Sequence, residues 1–204
     1  MLPLIPDNYY HIYNRANGDE KIFKSEENYR FFLEKFHFYI VPIADVFSFC
    51  LLPNHFHFLV RIKSEKEIYS NLSINRQGFG NLDGLSIDKI ISNQFGNFFN
   101  SYAKAFNKQN NRKGSVFMKT FKRKHVADKK YLLKLVHYIH HNPVEARLSK
   151  TPEGWKHSSY QSILKQNSNF IKTGEVIAWF DTKENFTEIH SQLPELNEKA
   201  VLSN

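Results

Sequence analysis

The sequence predicts an α+β fold, a ferredoxin-like antiparallel sheet with helices packed on one face. Three observations lead there. Apolar segments run in the order strand, helix, strand, strand, helix over the first half of the chain. The second and third strands are separated only by a Pro53-Asn54 turn signal. The chain's 204 residues are 41% hydrophobic and 15% aromatic, with 19 Phe, which is enough to bury a core.

Tyr9 to Arg15 is rich in β-formers and reads as the first strand. Ser25 is an N-cap candidate, and Tyr29, Phe32, Leu33 and Phe36 follow at helical spacing to about Tyr39. Val46 to Leu52 and His55 to Ile62 make a β-hairpin. Residues 64–85 are polar and contain Gly78, Gly80 and Gly84, and read as a loop insertion. Ile87, Ile90, Ile91, Phe98, Tyr102 and Phe106 form one apolar helical stripe. Residues 116–126 hold one or two short basic strands. Asp128 caps a helix over about 129–141 that stops at Asn142-Pro143. Short helices are expected near 158–165 and 173–180, before a frayed acidic tail. The organisation is a main domain over 1–165 and a C-terminal helical extension or tail over 166–204.

Twenty-eight Lys and Arg against 20 Asp and Glu give a net charge of +8, with a pI near 9.4. Such a balance favours a polyanionic partner. One cysteine, Cys50, excludes an internal disulfide framework and a Cys-based zinc site. No apolar run approaches the roughly 20 residues of a membrane span. The N-terminus lacks a basic segment followed by an apolar one, so no signal peptide is expected. A soluble cytoplasmic protein without membrane partners is the expectation.

His55 and His57 lie two apart on a strand and share a face, while Phe56, Phe58, Val60 and Ile62 share the other. Two adjacent imidazoles can chelate a divalent metal; they are equally read as two surface histidines. A metal needs a third ligand, and the helix ending at Asn142 offers candidates. Tyr138 and Asn142 are four apart and share a helical face, about 6 Å apart along the axis. A phenol beside an amide oxygen suits a nucleophile next to a metal ligand; a core aromatic and a helix-end asparagine account for them as well. Residues 119–134 carry seven Lys or Arg and one Asp. Such a run is either a solvated charged face or a phosphate-binding surface. Arg15, Arg112, Lys119, Lys122, Arg123 and Lys124 are the DNA-binding candidates, with Phe117, Phe121 and Tyr131 placed to stack on unpaired bases. Trp155 to Tyr160 reads as structural.

In combination, Leu52-Pro53-Asn54-His55-Phe56-His57-Phe58 and Tyr138-Ile139-x-x-Asn142-Pro143-Val144 resemble the HUH-type single-tyrosine transposases. The likeness is nearest to their REP-associated tyrosine transposase branch. Tyr10-His11-Ile12-Tyr13-Asn14-Arg15 and Trp155-x-x-Ser158-Ser159-Tyr160 add to it, and the likeness spans about residues 9–162. Residues 64–85 are longer than the family pattern. The resemblance implies an HUH transposase-like catalytic domain over 1–165. It also implies His55 and His57 as metal ligands, Asn142 as the third, Tyr138 as the nucleophile and Mg²⁺ or Mn²⁺ as cofactor. The implied activity is transposition or nicking of single-stranded DNA through a 5′-phosphotyrosine intermediate and a free 3′-OH, followed by rejoining. The implied partner is single-stranded DNA with hairpin structure, in the bacterial nucleoid, with a monomer and a homodimer both open. The alternatives are a catalytically inactive hairpin-binding module of the same fold and an unrelated metal-dependent hydrolase.

Overall fold

The computed structural model describes residues 3–18, 20–74 and 84–196. Four strands, β1 (Tyr9–Arg15), β2 (Ala44–Leu52), β3 (His55–Ile62) and β4 (Lys122–Val126), form one antiparallel sheet in the order β2-β3-β1-β4. β2 and β3 are the expected hairpin, and β1 separates β3 from β4. This is the split arrangement in which each crossover leaves room for one strand.

The strands' alternation divides the molecule into two layers of packing. On one face, α1 (Glu26–Tyr39) and α3 (Ile87–Gln109) cover Phe56 and Phe58. Phe36 stacks on Phe58 with ring centroids 4.0 Å apart, and Phe98 meets Phe36 edge-on at 5.5 Å. Ser25 sits at the start of α1 in extended backbone, and the Asn28 side chain accepts its N–H at 3.3 Å. The other face is covered as well, by α4 (Lys129–Glu145), which brings Tyr138 onto His57. Helices on one face only is therefore corrected to helices on both. β2 shows the consequence: all nine of its residues are buried. Its mostly apolar run, interrupted only by Asp45 and Ser48, is what a strand covered on both sides requires.

Three further expectations change. Residues 65–74 of the supposed loop form a helix, α2 (Glu65–Ile74), which buries Ile68 and Leu72. Its start is a Ser64-x-x-Glu67 capping box: Ser64 N–H donates to the Glu67 carboxylate at 3.1 Å, and Glu67 N–H donates to Ser64 Oγ at 3.4 Å. Gly78 and Gly80, which suggested a loop, lie outside the described residues. Second, α4 runs through Pro143 instead of stopping before it. Pro143 is in the last turn. Ala146 N–H still donates to Asn142 O at 2.9 Å, and Leu148 N–H closes the turn onto Pro143 O at 2.8 Å.

Third, the chain beyond 165 is packed well past the point where fraying was expected. α5 (Tyr160–Lys165) and α6 (Thr173–Trp179) appear as expected, and α7 (Lys183–His190) follows. Phe186 and His190 of α7 are buried against His140 of α4. Trp155 ties the segment after α4 to the sheet by donating Nε1–H to Leu51 O at 3.0 Å. Among the described residues, no helix is long and apolar enough to cross a membrane.

Candidate functional site

The site forms where β1 and β3 face α4. Cross-strand pairing puts His57 opposite Tyr13 and His55 opposite Arg15. The same face of β4 carries Lys122 opposite Tyr13 and Lys124 opposite His11. His11, Tyr13, Arg15, His55, His57, Lys122 and Lys124 thus share one surface. From α4, Tyr138 stands edge-on to His57, with centroids 5.6 Å apart at 84°, and to His11 at 6.5 Å. Tyr138 and the histidines thus meet through ring contacts within a single chain.

Hydrogen bonds fix the imidazoles. His57 Nδ1 lies 2.9 Å from His11 Nε2, in a buried contact between nearly parallel rings. His55 Nδ1 lies 2.7 Å from Asn54 Oδ1, an acceptor, so His55 donates there. The nitrogen left to the site on each ring is Nε2. Asn142 donates Nδ2–H to Tyr138 O at 2.8 Å, which holds its amide in place. Its side chain also interacts with His55, favouring the protonated ring there. The pair Tyr138 and Asn142 therefore serves one locus.

All three rings are held neutral at neutral pH. His55 is lowered to about 4, first by burial and then by Arg15, against the opposing effect of Asn142. His11 is lowered to about 3 by burial and by Lys124. His57 falls well below the usual histidine value through burial, with His11 and His55 adding to it. Neutral rings with Nδ1 engaged and Nε2 left over are the form in which imidazole binds a cation. Two such nitrogens and the Asn142 amide oxygen make a mixed nitrogen and oxygen donor set that suits a divalent ion and leaves positions open. Among the described residues, no group of three or more His, Cys, Asp or Glu side chains gathers as a metal set.

Two features depart from what the sequence suggests. Tyr138 is only 1% exposed, so its ring is enclosed between α4 and the histidines. The basic candidates also do not form one patch. Arg15, Lys122 and Lys124 share the histidine face, whereas Arg123 lies on the other face of β4 with its guanidinium 4.5 Å over the Phe121 ring. Lys119 is exposed on the segment before β4. Arg112 is committed to structure at the end of α3: it pairs with Glu20 at 3.0 Å and donates to Asn107 Oδ1 at 2.7 Å. His11 was not selected from sequence. The available signal was its register: one residue each side of it, Tyr10 and Ile12 point to the core, which sends His11 to the face of the His pair.

With this geometry in view, the comparison with solved structures is informative. The fold is that of a tyrosine transposase. The structure of a REP-associated tyrosine transposase bound to a REP hairpin matches with a TM-score of 0.56. The match covers 81% of this chain and 84% of that one, at 14% sequence identity. No family model matches the chain, and no curated protein matches it in sequence. The likeness therefore resides in the fold.

Proposed function

We propose that this protein is a single-stranded DNA transposase or nickase. The observation that carries the reading is the contact of Tyr138 with His57, made within one chain by residues 81 apart in sequence. Tyr138 Oη attacks the phosphorus of a DNA phosphodiester, forming a 5′-phosphotyrosine. The P–O3′ bond breaks, and the leaving 3′ oxygen takes a proton to become a free 3′-OH. That hydroxyl can later attack the link and restore a phosphodiester, so no nucleotide hydrolysis is required.

His55, His57 and Asn142 would hold Mg²⁺ or Mn²⁺, which supplies a Lewis acid against the negative charge of the diester. His11 keeps the His57 ring oriented, and Asn54 does so for His55. Arg15, Lys122 and Lys124 neutralise backbone phosphates beside the histidines. DNA entry must draw the Tyr138 ring out of its enclosed position, since a ring that is 1% exposed cannot meet a phosphate. The hairpin context of the structural neighbour supports a structured single strand as the partner.

The same burial favours a second reading, an inactive hairpin-binding module in which Tyr138 is a core aromatic. A suicide substrate separates the two. Single-stranded DNA carrying the recognised sequence, with Mn²⁺, should give a denaturation-resistant protein–DNA adduct that disappears in Tyr138→Phe. Bound but intact DNA without an adduct would support the binding module.

A further inference from the structure

A second feature lies at the same end of the sheet, on the opposite face. Between α3 and residues 114–121 is a cavity of about 540 Å³. The rings of Phe99, Phe117 and Phe121 wall it, with Phe99 5.2 Å from Phe117 and 5.3 Å from Phe121. Asn100 and Lys119 stand at its rim, and none of its lining residues is acidic. Gly96 contributes to its floor from the middle of α3. A glycine inside a helix costs about 1 kcal/mol relative to alanine. Close packing does not explain it here, because a Cβ at Gly96 would meet nothing within 4 Å. Its effect is to leave the floor of the cavity open.

We propose that this cavity receives an unstacked nucleobase of the bound single strand. The proposal rests on the DNA reading above and extends it to a site away from the histidines. Three observations favour a base as occupant. The half-buried ring of Phe99, beside Phe121 whose ring already stacks on Phe95 under the Arg123 guanidinium, offers the sequence-tolerant aromatic surface that single strands use. The amide of Asn100 can pair with a base edge, and Lys119 with the attached phosphate. The cavity also borders the same end of β1 as the candidate active site. Met118 N–H donates to Arg15 O at 3.0 Å, and Arg15 lies opposite His55. A strand whose phosphate sits beside Arg15 and His55 therefore has its neighbouring nucleotides at the mouth of this cavity.

The test uses the full-length protein and a single-stranded oligonucleotide that the wild type binds, with an abasic position scanned along it. Wild type should lose about 5- to 100-fold in affinity at one abasic position. Gly96→Leu, which fills the cavity, should lose a similar factor on the intact strand and nothing more at that abasic position. The variant should unfold at or above the wild-type temperature, since it replaces a helical glycine. Equal binding by Gly96→Leu and wild type, or additive losses, would overturn the base pocket while leaving Tyr138 adduct formation and its interpretation standing. A change in oligomeric state with unchanged DNA affinity would likewise overturn it, in favour of a protein occupant. Failure of the wild type to bind any single strand would overturn this proposal together with the reading beneath it.

Discussion

Replacing His11 with phenylalanine should weaken metal binding without unfolding the protein. His11 is fully buried, its ring stacks on Tyr13 at 4.6 Å and on His57 at 5.1 Å, and phenylalanine can keep both contacts. What it removes is the partner of His57 Nδ1. Leaving a buried nitrogen unpaired costs about 1–3 kcal/mol. His11 already carries such a nitrogen, since its own Nδ1 is buried with no hydrogen-bond partner. His11→Phe deletes one orphan and creates another, so the net stability change should stay within about 1 kcal/mol. Metal affinity has no such compensation. With His11 accepting its Nδ1 proton, His57 offers a lone pair at Nε2. Without that partner, the proton is free to move to Nε2 and block the site. Loss of a partner that orients a ligand typically costs 10- to 100-fold in affinity. Mn²⁺ titration followed by electron paramagnetic resonance, alongside urea unfolding in EDTA, measures both quantities. Unchanged Mn²⁺ affinity in a folded His11→Phe variant would refute the argument.

Further outcomes follow from the same geometry. The salt dependence of single-stranded DNA affinity should become shallower by about 0.7 in log–log slope for each of Arg15→Gln, Lys122→Gln and Lys124→Gln. Arg112→Gln should instead lower stability and leave that slope unchanged, because its guanidinium is bonded to Glu20 and Asn107. Phe58→Ala should cost about 3–5 kcal/mol in denaturant unfolding, because its ring is fully buried and stacked on Phe36. Stability should also fall with acid. His55 is held at about 4 and His11 and His190 at about 3, while an ordinary histidine titrates near 6.5. Unfolding therefore takes up protons below pH 6.5, so stability is full above that value and is lost as pH falls from 6.5 toward 4. A urea midpoint that stays flat from pH 7 to pH 4.5 would contradict this.

Much of the fold was legible because its signals are local. The His55 to Ile62 alternation, the Asp128 cap and the Pro53-Asn54 turn each act within a few residues. Asp128 does accept the N–H groups of Lys130 and Tyr131, at 3.2 and 2.9 Å. The misreadings involve longer range. Nothing within 129–145 tells which face of the sheet the helix will cover, although the long, mostly apolar β2 was a clue that both faces are covered. Pro143 costs the last turn one N–H, and the turn is closed past it by Ala146 N–H on Asn142 O and Leu148 N–H on Pro143 O. α7 is held by His190, whose Nε2 lies 2.9 Å from His140 Nδ1, a pairing between residues 50 apart in sequence. At the site, Tyr138, Asn142, His55 and His57 came from spacing and from resemblance. His11 and the division of the basic residues between two faces became visible only with register. The Ser64-x-x-Glu67 box was present in the sequence and was masked by the glycines that follow.

The most direct measurement is the identity of the residue that becomes covalently joined to DNA. Wild-type protein reacted with a suicide single strand and Mn²⁺, then digested with protease and nuclease, should yield one nucleotide-bearing peptide by tandem mass spectrometry. The modification should map to Tyr138. A nucleotide found on any other side chain, or none at all on a protein that binds the strand, would contradict the account.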